Sequence, residues 1–122
     1  MKFYRCDHCG NIVTFVHNSG VPVMCCGQKM TELVPGTVDA ALEKHVPVVQ
    51  VQGASVHVQV GAVAHPMLPE HVIQWIALET NQGSQIKYLQ PGQAPQADFA
   101  LAPEEQVVAV YEYCNLHGLW KA

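Results

Sequence analysis

Five cysteines and seven histidines stand out in a chain of 122 residues, of which only 13% are charged. Thiolates and imidazoles are ligands that suit zinc and iron, whereas oxygen ligands suit magnesium and calcium. An odd number of cysteines does not fit a disulfide framework, and the cytoplasm keeps thiols reduced. The cysteines are therefore predicted to be metal ligands or reactive thiols.

Four of the cysteines lie in the first 26 residues, as a C-x2-C pair and, after a gap of 15 residues, an adjacent pair: Cys6, Cys9, Cys25 and Cys26. Four sulfur ligands in this arrangement are typical of a tetrahedral zinc or iron site. A glycine after each pair lets the backbone turn beneath the metal and point N–H groups at the sulfurs. Zinc is the commoner occupant, so the spacing leaves a structural zinc knuckle and a redox iron centre both open.

A second set of potential ligands is spread over the rest of the chain: His45, His65, His71, Cys114 and His117. A single loop histidine is more often satisfied by hydrogen bonds than bound to a metal. A thiol and an imidazole three residues apart at a strand end, however, can reach one ion. Four imidazoles and one thiolate would leave one octahedral position open, which favours a redox metal such as iron over a closed zinc site.

Glu43 and Lys44 directly precede the first of these histidines. Lys44 would add positive charge and a proton source near an open metal position, which suits a small anionic ligand. Glu43 could hydrogen-bond nearby water or occupy the open position after oxidation. Solvated surface charge is the alternative for both residues. The three remaining histidines are predicted to be solvent-facing bystanders: His8, His17 and His57.

Short β-strands dominate the predicted elements that must position these ligands. In the first 36 residues, apolar stretches at 12–16 and 21–24 predict a hairpin, and Pro35-Gly36 marks a boundary. A unit of that size buries little core, so a bound metal would supply much of its folding free energy. Strands are predicted at 46–51, 56–60, 72–78, 86–89, 98–102 and 107–114, with mild helical character at 38–43. This pattern indicates an antiparallel sandwich or small barrel.

Composition excludes several classes of partner. The formal net charge is −4, and the six basic residues form no cluster, which argues against a nucleic-acid surface. No stretch approaches the roughly 20 apolar residues of a membrane span, and the first residues lack the apolar core of a secretory signal. We therefore expect a cytoplasmic protein that binds neither nucleic acid nor a membrane.

The motifs in this sequence resemble those of the desulfoferrodoxin family, the two-iron superoxide reductases. C-D-H-C-G and C-C-G are similar to the desulforedoxin-like domain of that family. E-K-H-V-P-V, A-H-P-M, the E-H segment leading to Trp75, and C-N-L-H-G-L-W-K are similar to its superoxide reductase domain. The resemblance covers essentially the whole chain. It implies a mainly β protein: a small desulforedoxin- or rubredoxin-like metal knuckle at 1–36 followed by an immunoglobulin-like antiparallel β-sandwich at 37–122, assembled as a homodimer.

The resemblance also implies two iron ions. One is a rubredoxin-like centre at the four amino-terminal cysteines, where zinc is the alternative. The other is a ferrous centre with four equatorial histidines and one axial cysteine: His45, His65, His71, His117 and Cys114. The implied activity is reduction of superoxide to hydrogen peroxide, an oxidoreductase reaction that protects against oxidative stress, with electrons from an external carrier such as rubredoxin. Lys44 would attract the anion and order a proton-donating water, with Glu43 beside it. A rubredoxin-like electron-transfer protein and a structural zinc-binding module remain alternatives.

Overall fold

A computed structural model describes all of residues 1–122. Strands account for 47% of the chain and helix for 3%, which confirms the predicted mainly β fold with a cysteine-rich amino-terminal knuckle. The chain divides into two compact units, Met1–Val34 and Pro35–Ala122. None of its helices has the length and apolar character that crossing a membrane would require.

The first unit contains five strands of two or three residues: β1 (Phe3–Arg5), β2 (Ile12–Thr14), β3 (Met24–Cys25), β4 (Gln28–Lys29) and β5 (Thr31–Leu33). Strand β1 lies between β2 and β5, and both pairings are antiparallel. Strands β3 and β4 form a separate hairpin. Strands this short bury little apolar surface, so this unit depends on other cross-links for its order.

The predicted hairpin between 12–16 and 21–24 is wrong. Strand β2 pairs with β1, and β3 pairs with β4. The reason is the two-residue turn at Cys26 and Gly27, whose φ angles are 52° and 72°. Two successive positive φ angles are the signature of a type I′ turn, which joins strands tightly. The adjacent cysteines therefore belong to a hairpin of their own.

The second unit has one short helix and seven strands: α1 (Leu42–His45), β6 (Pro47–Gln52), β7 (Ser55–Val60), β8 (Ile73–Thr80), β9 (Ser84–Tyr88), β10 (Gln96–Ala100), β11 (Val107–Cys114) and β12 (Gly118–Lys121). One sheet has the order β10-β7-β6 and the other β12-β11-β8-β9, and every pairing is antiparallel. Buried side chains from β7 and β10 share one apolar cluster with side chains from β8 and β11: Val56, Val58, Val60, Ala97, Phe99, Ile73, Ile76, Leu78, Val110 and Cys114.

All six predicted strands of this unit are present, with ends shifted by up to two residues. The alternation of buried valines on β7 with exposed or half-buried neighbours matches the period of a strand that buries one face. Strand β12 was not predicted, because it is only four residues long and begins at a glycine with a φ of 77°. The helix lies at the end of the segment predicted to have helical character and includes His45.

Candidate metal centres

The four amino-terminal cysteines converge, with all their sulfur atoms within 4.8 Å of one another. The first pair is held by a tight loop in which the Gly10 N–H donates to the Cys6 carbonyl and the Cys6 N–H donates to the Asn11 carbonyl, both at 2.9 Å. The second pair is held by the turn between β3 and β4. The Sγ atoms of Cys9 and Cys25 are 3.6 Å apart. The predicted tetrad is therefore assembled from two tight turns.

Nitrogen donors stabilise negative charge on two of these sulfurs, whereas the neighbouring Cys9 thiol raises the pKa of Cys25 and raises that of Cys26 to about 12. The Cys9 N–H donates to the Cys6 Sγ at 3.5 Å, and this backbone contact is the main reason that the pKa of Cys6 is lowered to about 6. The side-chain amide of Asn11 donates to the Cys25 Sγ at 3.8 Å. Spacing analysis did not identify Asn11, because only the fold brings it to a sulfur 14 residues away. The tetrad thus contains thiolate-stabilising groups suited to a metal.

The five predicted ligands of the second unit also converge, with their donor atoms within 4.8 Å of one another. They come from three places: the end of α1, the connection between β7 and β8, and the end of β11 with the turn that follows it. His45, His65 and Cys114 are buried, whereas His71 and His117 are partly exposed. The cluster therefore lies at one end of the sandwich, where loops meet.

Hydrogen bonds fix which nitrogen of two histidines faces the cluster. The Nδ1 of His45 lies 2.7 Å from the Ala41 carbonyl, and the Nδ1 of His65 lies 2.6 Å from the Pro66 carbonyl. Because a carbonyl only accepts, each Nδ1 carries the proton and each neutral ring has its lone pair on Nε2. These two Nε2 atoms face one another at 3.2 Å. Two lone pairs at that distance repel unless a cation lies beside them.

The other three potential ligand atoms lie beside these two nitrogens. The His117 Nδ1 lies 3.1 Å from the His45 Nε2 and 3.8 Å from the Cys114 Sγ. The His71 Nε2 is buried and has no hydrogen-bond partner. A buried nitrogen without a partner is costly unless something else uses its lone pair. Four imidazole nitrogens and one sulfur thus fit a transition metal with nitrogen and sulfur preference, such as iron.

Burial keeps the imidazoles ready to bind. Desolvation lowers the pKa of His65 to about 4, and it also lowers the pKa values of His45 and His71. All three rings are therefore neutral at pH 7, as metal coordination requires. Burial raises the pKa of the Cys114 thiol above its ordinary value. That thiol becomes a thiolate only when a cation compensates its charge.

Glu43 and Lys44 lie on α1 with exposed side chains, directly before His45. The charge of Lys44 contributes to the lowered pKa of His71, and that of Glu43 opposes the lowering of the pKa of His45. Both charges therefore act on the cluster. A hydrogen bond holds the helix beside the loop that contains His65: the Val63 N–H donates to the Glu43 carbonyl at 2.9 Å.

A glycine allows this close approach of two backbone segments. Gly61 has a φ of 82°, and its N–H donates to the Val46 carbonyl at 3.2 Å. A Cβ at this position would lie 2.7 Å from the Glu43 carbonyl oxygen and 2.8 Å from the Lys44 carbonyl carbon. Only glycine therefore lets the loop carrying His65 pack against α1.

Asn115 joins two ligand-bearing segments. Its side-chain oxygen accepts from the Val72 N–H at 2.9 Å, and its side-chain amide donates to the Glu70 carbonyl at 3.0 Å. The two bonds bind the residues on either side of His71 to Asn115, the residue after Cys114. The pairing of β11 with β8 also shifts register between Tyr113 and Cys114, a β-bulge of the kind often found beside functional sites.

Glu112 is a further buried group that spacing analysis did not identify. It is 0% exposed, and burial raises its pKa to about 9, so its carboxyl group is neutral at pH 7. Alternation along β11 places it on the same face as Val110 and Cys114, and this period was the signal that could have revealed it. Burial is the main cause of the raised pKa of the Cys114 thiol, and the charge of Glu112 raises it further.

The three histidines predicted as bystanders belong to neither cluster. His8 and His17 are exposed. His57 lies on the face of β7 opposite the buried valines, where its Nδ1 is 2.7 Å from an oxygen of Asp98 on β10. The fold therefore brings four of the seven histidines together and leaves three outside, of which His57 is half-buried rather than fully exposed.

Comparison with known proteins identifies the family. Residues 37–122 match the desulfoferrodoxin family model, and residues 1–33 match the model of the desulfoferrodoxin amino-terminal domain. The chain belongs to the desulfoferrodoxin family. It is 47% identical over 121 residues to the desulfoferrodoxin of Nitratidesulfovibrio vulgaris, covering 99% of this chain and 94% of that one.

Structural comparison agrees with this family assignment. The superoxide reductase from Treponema pallidum matches with a TM-score of 0.84 and 44% identity, covering 99% of this chain and 97% of that one. A superoxide reductase from Giardia intestinalis, described as 1Fe, matches with a TM-score of 0.57 and 33% identity, covering 66% of this chain and 95% of its own. Desulfoferrodoxins bind two iron centres, and the two clusters of this chain are the corresponding sites.

Proposed function

We propose that this desulfoferrodoxin is a superoxide reductase that combines superoxide, one electron and two protons into hydrogen peroxide. The observation that carries the proposal is the convergence of four imidazoles and one thiol, with donor atoms within 4.8 Å of one another. The neutral rings and the buried, unpartnered His71 Nε2 support a resident cation. Superoxide reductases among its relatives and structural neighbours support the same reaction.

The proposed ligands of the catalytic iron are His45, His65, His71, His117 and Cys114. Those of the second iron, for which zinc is the alternative, are Cys6, Cys9, Cys25 and Cys26. Bound by the five-ligand set, iron supplies the transferable electron and a position at which the superoxide anion binds. Because His45 and His65 are buried, water is excluded from the inner side of the cluster. The dielectric constant is lower there, which strengthens the attraction between opposite charges.

Lys44 and Glu43 are the proposed catalytic residues of the polypeptide. The Lys44 ammonium group attracts the superoxide anion and hydrogen-bonds the water that delivers a proton. Glu43 is the neighbouring acceptor that orders water at the mouth of the cluster. Their exposed positions on α1, with His45 at the end of the same helix, support both roles. The Cys114 thiolate would be the one sulfur ligand of the iron and would donate electron density to it.

Each turnover needs one electron from outside the five-ligand site. We propose an external carrier such as rubredoxin as the donor, and a homodimer as the assembly, both on the basis of the family resemblance. We also propose a cytoplasmic location, which the five free cysteines support, because thiols stay reduced in that compartment.

The decisive experiment is rapid mixing of the iron-loaded, reduced protein with superoxide. A reductase yields one peroxide for each superoxide consumed and no dioxygen. Release of dioxygen in the proportion expected of a dismutase would overturn the proposal. Protein reloaded with zinc alone is the matched control, because zinc has no electron to transfer.

The exposed Cys9 and Cys26 favour a second candidate, an electron-transfer protein that acts through the tetrad. Iron analysis and visible absorption of the air-oxidised protein distinguish the candidates. A superoxide reductase of this family should contain two different iron chromophores. An electron-transfer protein needs only the tetrad iron, and a structural zinc module would be colourless.

A further inference from the structure

Trp120 contacts two members of the five-ligand cluster. It lies on β12, opposite Glu112 of β11, and is 3% exposed. Its indole ring stacks on the His45 ring, with centroids 5.0 Å apart and an interplanar angle of 28°. Its Nε1–H donates to the His117 carbonyl oxygen at 3.1 Å. One buried side chain therefore touches two histidines that are 72 residues apart in the sequence.

The two contacts constrain different degrees of freedom. The stack fixes the plane of the His45 ring, while the bond from the His45 Nδ1 to Ala41 fixes its rotation in that plane. The bond to the His117 carbonyl fixes the backbone of the turn from which that ring projects. Strand β12 starts beside the cluster, because its first residue, Gly118, pairs with Cys114 of β11. Trp120 thus joins the sheet that carries the cysteine to both histidines.

We propose that Trp120 is a positioning residue that holds His45 and His117 in their ligand orientation before the metal binds and retards release of the metal. The proposal rests on the five-ligand site proposed above. Preorganisation matters here because the neutral Nε2 atoms of His45 and His65 repel each other at 3.2 Å. Without the Trp120 ring stacked against it, the His45 ring would rotate away from His65 in the metal-free protein.

The chemistry of the indole predicts a graded series of variants. Trp120→Phe keeps an aromatic face for His45 but loses the hydrogen bond to His117. Trp120→Leu loses both. Loss of a group that orients a metal ligand typically weakens metal binding by about 10- to 100-fold. Release should therefore be slowest in the unchanged protein, faster with phenylalanine, and about 10-fold or more faster with leucine.

The experiment uses the full chain loaded with Co²⁺, whose visible spectrum differs between a site with four sulfurs and one with mostly nitrogen ligands. A chelator is added, and loss of each spectrum is followed separately. The tetrad then serves as an internal reference, since its release rate should be the same in every variant. Trp75→Phe is the matched control, because Trp75 is also buried and stacked, but on Tyr113 at 5.6 Å.

Each outcome decides the proposal. Faster release from the five-ligand site alone, in the predicted order, supports it. Release at the unchanged rate from folded Trp120→Leu overturns it, as does equal acceleration in Trp75→Phe. If the leucine variant does not fold, the phenylalanine variant decides by the same criterion. If the unchanged protein binds Co²⁺ only at the tetrad, the five-ligand site is absent, and the proposal for Trp120 fails together with the proposed function. An unchanged release rate in Trp120→Leu, by contrast, overturns the proposal for Trp120 alone.

Discussion

The two metal-binding units of this chain hold their ligands in different ways. The tetrad lies on turns between strands of two or three residues, and two of its four cysteines are exposed. The five-ligand cluster lies at the end of two sheets that share an apolar core. Buried rings at that end are fixed by hydrogen bonds to carbonyl groups and by stacking. The all-sulfur set thus lies in the unit with little core, and the set of four imidazoles and one thiol lies in the unit with a large one.

This difference indicates what the metal does in each unit. In a unit with little core, metal binding supplies folding free energy, so the ion and the fold depend on each other. In the sandwich, packing of the strands supplies the fold, and hydrogen bonds and stacking orient the buried ligand rings. The metal of the first unit therefore stabilises its fold, whereas the metal of the second unit is available for chemistry. Substitutions that remove one ion should separate these roles.

The largest effect is expected for Cys114→Ser. Serine removes the only sulfur from the five-ligand cluster, and its hydroxyl remains protonated at pH 7 where a thiolate is needed. The second-order rate of superoxide reduction should fall by more than about 100-fold, beyond the usual cost of losing a group outside the ligand set. Stopped-flow or pulse-radiolysis kinetics would measure this rate, while the tetrad chromophore should be unchanged.

Cys9→Ser is the matched control for Cys114→Ser, because it makes the same atomic change in the other unit. It should abolish the tetrad chromophore and leave the five-ligand chromophore and the superoxide rate intact. Loss of both metals in either variant would contradict the independence of the two units. A full superoxide rate in Cys114→Ser would instead favour the electron-transfer alternative.

A smaller effect is expected for Lys44→Ala. An ammonium group close to the cluster attracts an anion over several ångströms, and such steering typically raises association rates by about 10-fold or more. The superoxide rate should therefore fall by about 10-fold, and the remaining rate should depend less on ionic strength. Both are measured by rapid mixing at several salt concentrations.

Lys87→Ala is the control for this prediction. Lys87 is also exposed, but it lies on β9, away from the segments that carry the ligands. It should change neither the rate nor its salt dependence. A normal rate in Lys44→Ala would remove Lys44 from the mechanism, and an equal decrease in both variants would show that only net charge matters.

Candidate ligands could be named from the sequence because metal chemistry restricts residue types and spacing. The C-x2-C pair and the Cys114–His117 pair are local patterns. Strands β7 and β10 follow a period of two because each buries one face, whereas β8 and β11 are short apolar runs buried on both faces. Local patterns thus indicated most of the fold and six of the candidate ligands, whereas His45, His65 and His71 stand in no local pattern and were assigned through the family resemblance.

Long-range contacts were not predictable in this way. The bonds from Asn115 to Glu70 and Val72 cross more than 40 residues, and the stack of Trp120 on His45 crosses more still. The pairing of β3 with β4 depends on a cysteine with positive φ, which residue type alone does not suggest. Candidate ligands can therefore be named from a single sequence, whereas the groups that orient them are identified only in the fold.

The smallest expected effect is a pH dependence of the metal-free protein. An imidazole in the unfolded chain takes up a proton near pH 6.5, whereas that of His65 in the fold stays neutral down to about pH 4. Between these values the unfolded chain binds more protons, so the free energy of unfolding falls as the pH drops. His45 and His71 contribute in the same direction. From pH 7 to pH 5 we expect a loss on the order of 1 kcal/mol from His65.

Urea unfolding of the metal-free protein at pH 7 and pH 5 measures this loss, with near-ultraviolet circular dichroism as the signal. His65→Gln is the informative control, because glutamine cannot take up a proton and should make the midpoint less dependent on pH. A midpoint that does not move between the two pH values would mean that the buried rings open to solvent without the ion. The sandwich would then resemble the tetrad unit in needing its metal for order.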